Sequence, residues 1–137
     1  MKILFVCKYN RFRSKVAEAI FNKLNKNKKI KTDSAGIIVD ELKPYIAKNV
    51  AKIMREKGYK IKPKQQQLRQ KLVANFDLII IVADNISPNL DNFTGKIIRW
   101  NIPDCSEEDT KKIKQIIKKI EANVKELITK TLNVTTH

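Results

Sequence analysis

The first 25 residues constrain the fold most strongly, because they predict a strand, a tight loop and a helix in direct succession. The run Lys2–Val6 is mainly apolar and contains the branched and aromatic residues that strands favour. From about Arg13 to Asn25, apolar residues recur at the spacing of one helix face, namely Val16, Ala17, Ala19, Ile20, Phe21 and Leu24. A strand that leads directly into a helix is the building unit of α/β folds.

The loop between this strand and helix carries a cysteine and an arginine in the pattern Cys-x5-Arg-Ser, from Cys7 to Ser14. Backbone N–H groups at a helix N-terminus converge on one spot, and the helix dipole adds partial positive charge there. An oxyanion fits such a nest, and the same field favours a nucleophilic thiolate at Cys7. Arg13 offers a planar fork to two phosphate oxygens, and Ser14 can hydrogen-bond the thiolate. Each residue alone could be a buried thiol or a solvated charge, but together they predict a phosphate-binding loop.

The remaining sequence alternates between predicted strands and helices. Strands are predicted from Ile30 to a turn at Asp33–Gly36, at Phe76–Val82 and at Lys96–Trp100. A helix is predicted at Glu41–Lys57, with Pro44 in its first turn and Gly58 at its end. Further helices are predicted at Lys64–Val73, as a short turn at Ser87-Pro88, and as a final helix with Ser106 as its N-cap. Apart from Asp77, the run Phe76–Val82 is continuously apolar, which is typical of a strand buried on both faces of a parallel sheet.

This alternation predicts an α/β fold, a three-layer sandwich with a four-stranded parallel sheet and the phosphate-binding loop after the first strand. A hydrophobic content of 42% in 137 residues suits a single domain spanning residues 1–137. Ligands of such sheets bind at the carboxyl ends of the strands, which is where Cys7 lies.

Several short motifs in this order resemble one family. They are Leu4-Phe5-Val6-Cys7, Asn10, Arg13-Ser14, Ala17-Glu18-Ala19, Asp33-Ser34-Ala35-Gly36, Phe76-Asp77 and Ile102-Pro103-Asp104. The chain is similar in these motifs to the low-molecular-weight protein tyrosine phosphatases, and the thioredoxin-linked arsenate reductases are similar in the first of them. The resemblance covers most of the chain, and its first motif is the specific one.

The resemblance implies hydrolysis of a phosphomonoester, protein phosphotyrosine in particular, through a phosphocysteine intermediate on Cys7. It implies that the substrate is bound by Lys8, Tyr9, Asn10, Arg11, Phe12 and Ser14 of the loop. It also gives Ser34 a supporting role as the hydrogen-bond partner of Asn10. Asparagine tolerates the left-handed backbone that a tight anion nest needs, and a polar partner can hold that strain.

The leaving oxygen of a phosphate ester needs a proton, and the sole histidine, His137, is terminal, so a carboxylic acid must supply it. Asp104 is the candidate, because it follows the last strand at the sheet edge that carries Cys7, and by resemblance it matches the family's catalytic aspartate. The alternative is that Asp104 only caps the final helix. Asp33, Asp77 and Asp84 also lie near strand ends, where we expect them to be turn residues.

The chain departs from the family pattern at several positions. Tyr9 stands where the family often has glycine, and Phe12 stands where many members have a second cysteine. Asp104 is followed by Cys105 and Ser106 instead of proline and tyrosines, which weakens the expectation of an aromatic wall for phosphotyrosine. No histidine lies where some members use one beside the loop; Pro63 or a neighbour stands there.

A redox reaction is the alternative to hydrolysis. Arsenate reduction would use Cys7 and a resolving thiol, but residues 82–93, where the related reductases carry theirs, contain no cysteine. Only Cys105 could then serve. A phosphate-binding module without catalysis is a third possibility, against which the presence of both nucleophile and acid argues.

The charge of the chain indicates anionic substrates. Lys and Arg number 29 against 14 Asp and Glu, a net charge of +15, which attracts anions over long distances. The lysines are scattered without interleaved aromatics, so we expect no specific nucleic-acid partner. The sequence has neither a membrane-spanning apolar run nor a signal peptide, and two cysteines are too few for a disulfide framework. We therefore expect a cytoplasmic monomer that needs no metal or other cofactor.

Overall fold

Four parallel strands form the central sheet in a computed structural model, which describes the backbone of residues 1–135 and the side chains of residues 1–130. The strands are β1 (Lys2–Cys7), β2 (Lys31–Gly36), β3 (Leu78–Val82) and β4 (Lys96–Trp100), and they lie side by side in the order β2-β1-β3-β4. Each neighbouring pair is parallel, which confirms the predicted sheet. His137, expected to have no catalytic role, lies outside the described residues.

Helices and loops cover the two faces of this sheet. The helices are α1 (Arg13–Leu24), α2 (Lys48–Glu56), α3 (Gln70–Val73) and α4 (Thr110–Thr135). Alternate residues of β1 and β3, such as Phe5 and Ile80, pack in one core with α1, α2 and α4. The residues between them, such as Leu4 and Ile79, pack with α3 and its flanking loops. The predicted three-layer α/β fold is therefore confirmed, and every residue of β3 is buried.

The helix predicted over Glu41–Lys57 is wrong in its first half, since α2 begins only at Lys48. Pro44 has no N–H and disfavours helical backbone in the residue before it. The chain after Pro44 pairs instead with the segment that follows α2, where the Ile46 N–H donates to the Pro63 carbonyl at 2.9 Å. The predicted end is confirmed by Gly58, whose φ of 84° is left-handed.

The helix predicted over Lys64–Val73 forms only as α3. Residues 65–69 extend along the end of β2 instead: the Gly36 N–H donates to the Gln66 carbonyl, and the Leu68 N–H donates to the Gly36 carbonyl, both at 2.8 Å. Pairing with the sheet therefore overrides the weak helical periodicity of this segment. The four residues Asp33–Gly36, predicted as a turn, are part of β2 for the same reason.

Two helix starts are also corrected. No helical turn forms at Ser87-Pro88. The nearby carbonyl of Ile86 instead accepts a hydrogen bond from Arg99 Nη2 at 2.8 Å. The final helix begins after Asp109, whose carboxylate accepts the Lys112 N–H at 3.1 Å, and not after Ser106. None of the helices within residues 1–135 is both long and apolar enough to cross a bilayer.

Candidate active site

The sulfur of Cys7 lies at the base of the loop that joins β1 to α1. Cys7 is 2% exposed, and its Sγ lies 2.9 Å from Ser14 Oγ. The Asn10 N–H also donates to this sulfur, at 3.3 Å. Both contacts can stabilise a thiolate, so the contact predicted for Ser14 is present in the structure.

Asn10 holds the loop in its strained shape. Its φ of 56° lies in the left-handed region. Its Nδ2 donates to Ser14 Oγ at 2.7 Å and to Ser34 Oγ at 3.0 Å, and its Oδ1 accepts the Gln66 N–H at 2.8 Å. The predicted bond between Ser34 and Asn10 is therefore present. Because Ser14 Oγ accepts from Asn10, its own proton is free to point at the Cys7 sulfur.

Gly36, at the end of β2, lets the loop pass close to the sheet. A Cβ at this position would lie 2.6 Å from the carbonyl carbon of Tyr9 and 2.7 Å from the nitrogen of Asn10. Both atoms belong to the backbone and have no rotamer with which to move aside. Glycine is required here by this close approach.

A buried carboxylate, Glu18, extends the network behind the loop. Its side chain is 2% exposed, and its Oε1 accepts the Ser34 hydroxyl proton at 2.8 Å. Its Oε2 lies 2.8 Å from Lys62 Nζ, and this hydrogen bond raises the pKa of Lys62. Lys15, 3% exposed on the same helix, has its pKa lowered by burial, although the charges of Glu18 and Asp33 oppose the shift.

The network of Glu18 and Lys62 was not expected from the sequence. Glu18 lies within the predicted buried face of α1, between Ala17 and Ala19, and a charged residue in such a position signals a buried partner. Nothing in the sequence around Lys62 indicates a buried partner, because Glu18 lies 44 residues away in the chain. It stands next to Pro63.

Arg13 joins the loop to the opposite side of the site. Its side chain is 4% exposed, and its Nη1 donates to the Ile102 carbonyl at 2.8 Å. Nη1 lies 3.6 Å from Asp84 Oδ1, and Nη2 lies 3.7 Å from Asp104 Oδ2. The contact with Asp84 was missed, because that residue was expected to be only a turn residue. Asp84 follows the carboxyl end of β3, and β3 lies beside β1, so this position could have indicated that Asp84 lies near the loop after β1.

Asp104 lies at the same cavity as Cys7, on the sheet edge where the sequence places it. Together with Cys7 and Arg13 it lines a cavity of about 460 Å³, which we call the Cys7 cavity. Its side chain is 47% exposed, and its Oδ1 accepts the Cys105 N–H at 2.9 Å. The alternative role as cap of the final helix is wrong, because Asp109 occupies that position.

The structure divides the predicted substrate-binding residues into two groups. Tyr9, Arg11 and Phe12 line the Cys7 cavity. Asn10 and Ser14 lie buried behind it, and the Lys8 ammonium lies over the Tyr9 ring, 5.1 Å from its centroid. Arg11 pairs with Glu107 and donates from Nε to the Tyr45 carbonyl at 2.8 Å. The rim of the cavity includes Asp40, Lys43, Cys105, Ser106, Glu107 and Glu108.

Cys105 shares the Cys7 cavity and is partly buried. Burial raises the pKa of its thiol, as do the negative charges of Asp104 and Asp109. Within the described side chains, no group of three or more His, Cys, Asp or Glu is placed to hold a metal ion.

Comparisons with known proteins agree with this geometry. The model of the family described as low molecular weight phosphotyrosine protein phosphatase matches residues 2–136. A protein tyrosine phosphatase from Entamoeba histolytica, solved with Hepes in its active site, is 26% identical with a TM-score of 0.86, over 98% of this chain and 99% of that one. An arsenate reductase from Archaeoglobus fulgidus is 28% identical with a TM-score of 0.75, over 93% of this chain and 98% of that one.

One further solved structure shows the shared fold alone. It is a low molecular weight phosphotyrosine phosphatase from Vibrio cholerae O395, at 20% identity and a TM-score of 0.80, over 96% of this chain and 97% of that one. A comparison with curated protein sequences found no match.

Proposed function

Because the chain belongs to the low molecular weight phosphotyrosine protein phosphatase family and is therefore a hydrolase, we propose that it cleaves phosphomonoesters through a phosphocysteine at Cys7. The observation that carries this proposal is that Cys7, Arg13 and Asp104 line one cavity at the carboxyl edge of the sheet. They are the nucleophile, the phosphate ligand and the proton donor that this reaction needs.

In the first step the Cys7 thiolate attacks phosphorus, and a P–S bond forms as the P–O bond to the leaving group breaks. Asp104, in its acid form, transfers its proton to the leaving oxygen. Arg13 and the loop N–H groups bind the remaining phosphoryl oxygens, where negative charge is concentrated in the transition state. The bond from Arg13 Nη1 to the Ile102 carbonyl, at 2.8 Å, orients the guanidinium for this contact.

In the second step water attacks the phosphocysteine. The Asp104 carboxylate accepts a proton from this water, the new P–O bond forms, and the P–S bond breaks to release phosphate. The returning thiolate is stabilised by Ser14 Oγ at 2.9 Å and by the Asn10 N–H at 3.3 Å. Asp104 is left protonated and ready for the next substrate.

The substrate class that we propose is an aryl phosphate, and specifically phosphotyrosine on a protein. Tyr9 lines the Cys7 cavity, is 36% exposed and offers aromatic surface to a phenyl ring, while the neighbouring Phe12 is packed in the core and contributes only an edge of the cavity wall. They stand on the catalytic loop itself, whereas the positions after Asp104 carry Cys105 and Ser106. This supports an aromatic wall on the loop side of the cavity.

Arsenate reduction is the second candidate, and the position of Cys105 in the Cys7 cavity is the observation that favours it. Cys7 would attack arsenate and expel water. The Cys105 thiolate would then attack the Cys7 sulfur, forming a disulfide while the As–S electron pair leaves with arsenite. An external dithiol would have to reduce that disulfide.

The two candidates are separated by assays on the same preparation. We expect hydrolysis of p-nitrophenyl phosphate in the presence of a chelator, and loss of turnover in Cys7→Ser. Cys105→Ser is the matched control, because it should retain phosphatase activity and lose any arsenate-dependent consumption of reduced thioredoxin. Full activity in Cys7→Ser would contradict the phosphocysteine, and thioredoxin consumption without ester hydrolysis would favour the reductase.

A further inference from the structure

Three cavities adjoin one another between Cys7 and the exposed side of α2, each sharing wall residues with the next. The Cys7 cavity shares four wall residues with a second cavity of about 350 Å³: Arg11, Lys43, Glu107 and Glu108. The second shares four with a third, of about 780 Å³: Tyr45, Ile46, Lys48 and Asn49. We call the second and third cavities together the α2 groove.

The wall of the α2 groove is basic. Lys48, Lys52 and Arg55 project from α2 at spacings of four and three residues, which places them on one face of the helix. Lys60 stands on the segment that follows. All four side chains are exposed, and within the described residues none of them pairs with a carboxylate.

The floor of the groove is apolar, and its carboxylates lie at one end. Ile46, Tyr59, Ile61 and Pro63 line the third cavity, and the Tyr45 side chain is 60% exposed at its edge. Glu107 and Glu108 line the Cys7 cavity and the second cavity but not the third, and Glu107 is already paired with Arg11. A ligand in the third cavity therefore meets hydrophobic surface flanked by four unpaired positive charges.

We propose that the α2 groove binds the acidic segment of a protein substrate that flanks its phosphorylated residue. This proposal rests on the proposed function: with a phosphorylated side chain at Cys7, the substrate backbone must leave across the rim, and the α2 groove adjoins that rim at Arg11 and Lys43. Glu and Asp side chains complement the four cations, while apolar neighbours fit the floor. The groove thus adds selectivity for sequence to the selectivity for phosphate.

The test compares two phosphotyrosine peptides that differ only in having glutamate or glutamine on both sides of the phosphotyrosine. For the wild-type protein at low ionic strength, we expect kcat/KM to be about tenfold higher for the glutamate peptide, and the ratio to fall as salt is added. Lys52→Gln/Arg55→Gln should lower this ratio to about two. Hydrolysis of p-nitrophenyl phosphate, which does not reach the groove, reports separately on the Cys7 cavity.

The matched control is Lys28→Gln/Lys29→Gln, which removes the same charge from an exposed turn before β2. The control should keep the wild-type ratio; equal losses in both double variants would assign the preference to net charge and overturn the groove. Cleavage of p-nitrophenyl phosphate without any peptide preference would also overturn it, while leaving the proposed function intact. Inhibition by an oligonucleotide that only Lys52→Gln/Arg55→Gln relieves, with the peptide ratio unaffected, would place nucleic acid there instead. Absence of p-nitrophenyl phosphate cleavage would contradict the proposed function and this proposal together.

Discussion

Replacement of Glu18 by glutamine tests whether the buried network behind the loop controls the nucleophile. The Glu18 carboxylate accepts from Ser34 Oγ and from Lys62 Nζ, each at 2.8 Å. Glutamine keeps the shape but presents one oxygen and one NH2 group, so one of these two donors loses its acceptor. The change propagates along hydrogen bonds from Ser34 through Asn10 to Ser14, which contacts the Cys7 sulfur.

The magnitude follows from burial. A hydrogen bond to a buried charged group contributes about 1.5–3 kcal/mol to stability. The bond from Lys62 contributes at the low end of this range, because the Lys62 side chain is 59% exposed and water screens its charge. We therefore expect Glu18→Gln to lower the free energy of unfolding by about 2 kcal/mol. For a chain of this size the melting temperature should fall by about 6 °C. We expect kcat for p-nitrophenyl phosphate to fall about tenfold, which corresponds to about 1.4 kcal/mol, with KM changed much less.

The assays are thermal denaturation, steady-state kinetics and the rate of Cys7 alkylation at fixed pH. Glu126→Gln is the matched control, because it removes the same charge from an exposed pair with Lys130 on α4. It should leave the melting temperature and kcat nearly unchanged. An equally small effect of Glu18→Gln would refute the structural role of the buried carboxylate. A lower melting temperature with kcat and alkylation rate intact would refute its coupling to the nucleophile.

Three further predictions follow from the site and its surroundings. Asp104→Asn should reduce turnover of alkyl phosphates by about 10²–10⁴, and that of p-nitrophenyl phosphate far less, because only poor leaving groups need its proton. Burial and the hydrogen bond to Glu121 raise the pKa of Tyr59 to about 12, so Tyr59 should form tyrosinate at a higher pH than an ordinary tyrosine. The stability that the neutral Tyr59 side chain contributes is present below pH about 10 and is lost as the pH rises towards 12. Peroxide should link Cys7 to Cys105, since both line one cavity and no second thiol lies in the loop.

Each of these has its own control. Equal losses across a series of leaving groups would show that Asp104 does not donate the proton. Tyr59→Phe should remove the late step from the tyrosinate absorbance titration; a late step that persists in this variant would mean that another tyrosine causes it. Activity after peroxide should recover with dithiothreitol in the wild-type protein but not in Cys105→Ser, and mass spectrometry without a linked peptide would contradict the disulfide.

The parts of the fold that the sequence predicted are those encoded by local pattern. The continuous apolar run of β3 predicts a doubly buried strand without reference to any other segment. The Cys-x5-Arg-Ser spacing likewise predicts the loop, since strand, loop and helix are adjacent in the chain. The parts that failed depend on contacts between distant segments: the helix before Lys48 is replaced by pairing of Ile46 with Pro63.

The same distinction holds within the site. Cys7 and Arg13 were predicted to lie at one site because their chemistry and spacing are specific, and both line the same cavity. The contacts of Asp84 and Lys62 were not predicted, because a carboxylate near a strand end or a lysine in a polar stretch is usually a surface residue. Those of Glu18 were not predicted either, although its place on the buried face of α1 was a signal. These three residues contact the site only through residues that are distant in the chain: Asp84 through Arg13, and Lys62 and Glu18 through each other and Ser34.

The close approach at Gly36 has a consequence for how this enzyme can vary. The space that a methyl group would need is taken by the backbone of Tyr9 and Asn10, so the path of the loop between β1 and α1 depends on the absence of a side chain at Gly36 in the neighbouring strand. In a library that randomises each position and selects for turnover, position 36 should return glycine alone. Ile38, two residues further and 49% exposed, should accept many replacements. A strand residue without any reactive group would then be as invariant in such a selection as the proposed nucleophile Cys7.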